Sequence, residues 1–140
     1  MKTRTIVLAG LLVGGAGSVW LTGQAQSGGP IVSGAHRFEK VMDGIYYATS
    51  SGTMNVGANS PIIVNDDEAM VIDSEITPAA ARALVADLKA ITNKPVRFVI
   101  DTHYHYDHLF GNQAFAPDVQ IIGHDNTRMR LLTHDTRHSP

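Results

Sequence analysis

The chain contains no cysteine. That excludes a disulfide framework, a thiolate nucleophile and a thiolate metal ligand. Basic charge is also scarce, with 11 Lys and Arg against 13 Asp and Glu. A nucleic-acid surface needs a basic face, so no nucleic-acid partner is expected. No internal repeat is visible. What remains is 140 residues with an ordinary apolar content of 44%, enough for one globular domain.

Residues 1–25 read as a secretory signal peptide. Lys2 and Arg4 start it, an apolar run from Ile6 to Leu21 follows, and Gly23-Gln24-Ala25 supplies a small-x-small cleavage site. An uncleaved anchor is the competing reading, but the run is short for a span and carries Gly10, Gly14, Gly15 and Gly17. No Cys follows for a lipid anchor, and Thr3-Arg4-Thr5 is not a twin-arginine signal. Loss of Lys2 and Arg4 leaves nine basic residues against 13 acidic ones, a net charge of −4. A periplasmic or secreted protein is expected, with no stable membrane insertion after cleavage. Residues 26–36, rich in Ser and Gly and holding Pro30, read as a linker, with His36 exposed in it. The domain is expected over 37–140.

Arg37 to Val41 and Ile45 to Ser50 have strand composition and are joined by Asp43-Gly44, a hairpin signal. Ser51 to Asn59 is a polar, glycine-containing loop. Pro61 to Val64 and Ala69 to Ile72 form a second hairpin about the turn Asn65 to Glu68. A helix follows, with Thr77 as N-cap and Pro78 at its first position. Ala80, Leu84, Leu88 and Ile91 share one helix face, Arg82 and Lys89 point elsewhere, and Asn93 and Pro95 end the helix. Val96 to Ile100 predicts a buried strand and Val119 to Ile122 another. Asp125 or Asn126 can cap a last helix that carries Met129, Leu131 and Leu132. Hairpins followed by alternating strand and helix predict an α/β chain with a mixed sheet and flanking helices.

The densest chemistry is His103-Tyr104-His105-Tyr106-Asp107-His108, directly after a strand. In an extended segment alternate side chains point the same way, so His103 and His105 can reach one metal ion together. Asp107 and His108 lie where the backbone turns and can serve a second ion. Two ions roughly 3.5–4 Å apart clamp the attacking and leaving oxygens of a hydrolysis. Imidazole and carboxylate suit zinc, with iron or manganese also compatible. Ligands in open α/β sheets commonly sit beyond the C-terminal ends of strands, and Gly111 would allow close backbone packing there. A solvated, histidine-rich turn is the bland alternative. Tyr104 and Tyr106 alternate away from the ligands and read as packing residues. His134 and His138 are spaced i, i+4 but lack an intervening Glu to act as base.

The string Thr102 to His108 resembles the His-x-His-x-Asp-His signature of metallo-β-lactamase-fold hydrolases. The likeness extends from Phe38 to Leu132, through Gly57-Ala58-Asn59-Ser60, Val71-Ile72-Asp73, the Thr77 helix, Phe110-Gly111-Asn112 and Ile121-Ile122-Gly123-His124. The resemblance implies the N-terminal half of an αβ/βα sandwich. It implies His103 and His105 in a first metal site, Asp107 and His108 in a second, and two zinc ions in the full-length protein. Asp73 would support the ligands from behind; a strand-end or capping carboxylate is its plain alternative. The family's remaining ligands are a third His, a bridging Asp or Cys and a last His. They have no counterpart here, and His124 falls at the wrong point to be one. The chain is therefore expected to be incomplete at its C-terminus.

The implied function is hydrolysis of a small-molecule ester, lactone, thioester or β-lactam amide through a metal-bound hydroxide. Asp107 would orient that nucleophile and act as the catalytic residue. Met54 and Val56, in the loop that resembles a flap over the site, would touch substrate or simply be exposed. The alternatives are a non-catalytic metal-binding remnant and an iron-dependent oxidase-type relative. Substrate and oligomeric state are not encoded in any feature above.

Overall fold

A computed structural model describes residues 29–133; the segment read as a signal peptide and the His134/His138 pair lie outside them. Seven strands form one mixed sheet in the order of the sequence: β1 Ile31–Ser33, β2 His36–Met42, β3 Ile45–Ser50, β4 Ser60–Val64, β5 Ala69–Ile72, β6 Val96–Asp101 and β7 Gln120–Gly123. The first five strands pair antiparallel, and β5–β6 and β6–β7 pair parallel. The switch has a simple cause. Asp43-Gly44 and Asn65 to Glu68 make tight turns, and Gly44 takes φ +74°, the left-handed backbone that such a turn needs. After β5 a helix intervenes instead, and a crossover returns the chain parallel.

That helix, α1 Pro78–Asp87, begins as its sequence dictates. The Thr77 side chain accepts the Ala80 N–H at 3.1 Å and proline occupies the first position. It buries Ala80, Ala81 and Leu84, and a short 3₁₀ segment from Leu88 to Ala90 continues it. Leu84 and Leu88 meet Phe38, Ala48, Ile62, Val71 and Val99, the inward residues of five adjacent strands. Register explains the alignment: Phe38 faces Ala48, Ile62 faces Val71, and Val71 faces Val99. Each fully buried side chain of this kind stabilises the fold by about 1.5–3 kcal/mol.

The other side of β6 is less covered than the sequence predicts. Val99 is fully buried, but Phe98 and Ile100 are half-buried. On β7, Ile121 and Ile122 are 47% and 45% exposed, and Met129, Leu131 and Leu132 of the last helix are exposed too. This helix, α3 Asp125–Thr133, takes both expected caps, Asp125 and Asn126, into its first turn. Its first turn is met by His124, whose Nδ1 accepts the Asn126 N–H at 3.1 Å.

The predicted linker is not a linker at its end. Residues 31–33 form the edge strand, and Ala35 and His36 are buried. His36, expected to be exposed, has no accessible surface. The reason is α1: Asp87, at its C-terminal end, accepts Ala35 N–H at 2.8 Å, His36 N–H at 3.2 Å and His36 Nδ1 at 2.9 Å.

Candidate metal centre

The histidine motif leaves the C-terminal end of β6 and turns into one short helix, α2 Tyr106–Leu109. The extended segment holds His103 and His105 on the same side, with ring centroids 4.5 Å apart. The turn then folds His108 back onto His103, at 4.1 Å between centroids. Asp107 joins them, its Oδ2 3.5 Å from His108 Nε2. The structure thus brings His103, His105, Asp107 and His108 into one cluster, all partly exposed.

Asp73 organises this cluster from β5. Its Oδ2 lies 2.8 Å from His108 Nδ1, and its Oδ1 accepts the Thr102 N–H at 2.8 Å. The Thr102 hydroxyl reaches both Asp73 oxygens, at 2.9 and 2.8 Å, and lies 2.9 Å from His103 Nδ1. An ionised carboxylate only accepts. Hence Nδ1 of His108 donates to Asp73, Thr102 donates to Asp73, and His103 Nδ1 donates to Thr102. In its neutral form, each ring is left with Nε2 as its electron-pair donor. Carboxylates that fix a histidine in this way recur behind metal-ligating imidazoles.

The turn that delivers Asp73 is strained. Asp73 has φ +63° and Glu75 has φ +77°, a region that costs a non-glycine residue roughly 1–2 kcal/mol. Contacts compensate. Ser74 N–H donates to His108 O at 2.6 Å, and Gly111 N–H donates to Glu75 O at 3.1 Å. These two bonds tie the turn to His108 within α2 and to Gly111 just beyond it. Gly111 is needed for the fit, because a Cβ there would stand 1.6 Å from Ser74 O.

Electrostatics favour the neutral, metal-binding form of His103. Burial lowers its pKa, and the neighbouring His108 and His105 lower it further. Asp101, the last residue of β6, is pushed up to about 6, mainly by burial, with Asp73 adding repulsion and Asn112 Nδ2 offsetting part of it through a 2.8 Å bond.

Tyr104 and Tyr106 make packing contacts, and the Tyr104 ring meets the His105 ring edge-on at 5.0 Å. The Arg130 guanidinium sits over Tyr104 at 4.9 Å, and Tyr106 packs on Phe110. Val56 is buried at 4% exposure, its carbonyl accepting Ile76 N–H, whereas Met54 is exposed at 39%. Thr102, Ser74 and Glu75 carry no role in the sequence reading. The one signal available was the acidic Asp73-Ser74-Glu75 run between a strand and a helix cap.

A metallo-beta-lactamase superfamily model matches residues 54–133. The chain belongs to that superfamily. Its fold is similar to the metallo-beta-lactamase FIM-1 from Pseudomonas aeruginosa, solved in a mono-zinc form. That match has 22% identity and TM-score 0.59, over 71% of this chain and 46% of that one. It is similar to the metallo-beta-lactamase from Hirschia baltica, at 25% identity and TM-score 0.59, over 71% of this chain and 48% of that one. In sequence, 52 residues are 29% identical to the linear primary-alkylsulfatase of Pseudomonas sp. (strain ATCC 19151), covering 37% of this chain and 10% of that protein. The chain therefore spans about half the length of these solved superfamily structures. The mixed sheet with its three helices is the matching part of the superfamily fold.

Zinc fits this donor set in kind, since three imidazoles and a carboxylate are borderline donors of the sort it takes. The His108 Nε2 electron pair faces the Asp107 carboxylate at 3.5 Å, an electron-rich pairing that a cation relieves. Among the described residues, however, no three such donors close on a single point.

Proposed function

We propose that this protein is a metal-dependent hydrolase, with His103 and His105 holding one zinc ion and Asp107 and His108 a second. The observation that carries the reading is the Asp73–His108–Asp107 line, in which one carboxylate fixes Nδ1 and a second faces Nε2. Bound zinc would supply Lewis acidity toward the scissile group and make water acidic enough to react near neutral pH. Asp107, 36% exposed at its side chain, would orient the attacking water and carry its proton to the leaving group. Asp73 and Thr102 would keep Nε2 of His108 and His103 turned toward the open side throughout.

The substrate class is a small ester, lactone, thioester or β-lactam amide. The alkylsulfatase likeness adds a sulfate ester to the compounds worth assaying. Export to the periplasm or the medium fits the leader-like N-terminus. A second reading, a metal binder without turnover, is favoured by the incomplete convergence of donors among the described residues.

One set of measurements separates these. Metal content is measured after expression in balanced zinc, iron and manganese, followed by a panel of chromogenic β-lactam, aryl ester, lactone, thioester and alkyl sulfate. The hydrolase reading expects zinc and turnover of at least one compound, both lost in His105→Ala. Zinc without turnover supports the binder. Iron in place of zinc points to the oxidase-type relative. Absence of any metal, or turnover indifferent to His105→Ala, overturns the proposal.

A further inference from the structure

A second buried polar cluster lies behind the metal loop, on the far side of the Asp73–Glu75 turn. The Glu75 side chain is fully buried. Its Oε1 is 2.8 Å from the Ser60 hydroxyl and 3.6 Å from His36 Nε2, an ion-pair distance longer than a hydrogen bond. The same Ser60 hydroxyl lies 2.8 Å from Asp73 O, so one proton is shared between the carbonyl of Asp73 and the carboxylate of Glu75. His36 is held in turn by Asp87 on α1. Ser60 from β4 and His36 from β2 thus flank the Glu75 carboxylate, and each is held in turn, Ser60 by Asp73 O and His36 by Asp87.

A carboxylate without accessible surface is costly unless something compensates its charge. A glutamate in left-handed backbone is a further cost. Glu75 carries both and touches nothing on the open side of the metal loop. Its backbone carbonyl nevertheless holds Gly111, and its neighbours Asp73 and Ser74 hold His108 by side chain and by main chain.

We propose that Glu75, clamped by Ser60 and His36, is a positioning residue for the metal loop. It pins the strained turn so that Asp73 meets His108 Nδ1 and leaves Nε2 free for a ligand. The inference rests on the metal-loop reading above for its purpose but not for its geometry. Anchoring the Glu75 side chain fixes the direction of the turn's two left-handed residues. Releasing it lets the turn relax toward ordinary backbone, and Asp73 then swings off His108.

The test uses the full chain and two variants, Glu75→Gln, which keeps the shape and removes the charge, and Ser60→Ala, which removes the shared proton donor. Thr77→Ala, a helix-cap loss two residues past Glu75 that removes a hydroxyl bonded to the Ala80 N–H and to no part of the turn or the metal loop, controls for general destabilisation. The first readout is the side-chain ¹⁵N signature of His108 in metal-free protein near pH 8. The second is zinc affinity by competition with a chromogenic chelator. The wild type and Thr77→Ala are expected to show His108 protonated at Nδ1. Glu75→Gln and Ser60→Ala are expected to show mixed tautomers and zinc binding about ten-fold weaker. Should Glu75→Gln fail to fold, Ser60→Ala alone decides.

If a folded variant keeps both the wild-type tautomer and wild-type zinc affinity, the positioning role is overturned while the metal reading stands. If the wild type binds no zinc but the variants still lose the tautomer, the metal reading is overturned and the positioning role stands. If Thr77→Ala disturbs His108 equally, the effect is general loosening and the positioning role is overturned.

Discussion

The Asp73 carboxylate and the His108 imidazole stand 35 positions apart in the chain and 2.8 Å apart in space. One residue closes a strand and the other turns into a short helix. The parallel pairing of β5 with β6 puts their C-terminal ends side by side. Everything distinctive in the metal loop depends on that adjacency.

Asp73→Asn tests it directly. The amide can still accept one hydrogen bond, but it cannot serve Thr102 and His108 together as an anion. Zinc affinity is expected to fall 10–100-fold, with the fold retained. Isothermal titration with zinc measures it; an unchanged affinity would detach Asp73 from the site.

Gly111→Ala should be among the most damaging small substitutions. Its φ is not the obstacle; contact is, since the new methyl would meet Ser74 O at 1.6 Å and Ala81 Cβ at 2.7 Å. Overpacking of this kind costs about 1–3 kcal/mol, and more where backbone must move. Urea midpoints of wild type and variant give the difference. A shift near zero would mean that the turn and the loop are not in contact.

Stability should depend on pH through His36. Burial lowers the pKa of this ring, but the Glu75 and Asp87 carboxylates beside it outweigh burial and hold it above the ordinary value of 6.5. The folded state therefore binds a proton more tightly than the unfolded chain does. This contribution is complete below about pH 6.5 and is lost as pH rises through the folded value. Urea unfolding measured between pH 6 and 9 should show the decline, and His36→Gln should flatten it. An equal slope in the variant would assign the decline to other groups.

Thr77→Ala removes the oxygen that accepts the Ala80 N–H. The helix should lose about 1 kcal/mol, and zinc binding should not change. Thermal unfolding and a zinc titration on the same sample check both halves of the statement.

Much of the architecture is legible in local chemistry. Asp43-Gly44, the Asn65 to Glu68 turn, Thr77-Pro78 and the apolar runs mark hairpins, helix and strands within a residue or two of where they fold, because turn and cap preferences act over a few residues. The motif from His103 to His108 is legible for the same reason: its four side chains are neighbours in sequence and come together by a simple turn.

Tertiary structure alone decided the rest. His36 reads as a solvated linker residue until α1 brings Asp87 across 51 positions to cover it. Glu75 reads as an ordinary acidic residue until Ser60 and His36 meet it from two strands. Val56 reads as a loop tip until the backbone of Ile76 ties it inward. The sequence by itself determined which donors could meet a metal. Only the packed fold decided which nitrogens they present, because ring orientation depends on hydrogen-bond partners that arrive from distant strands.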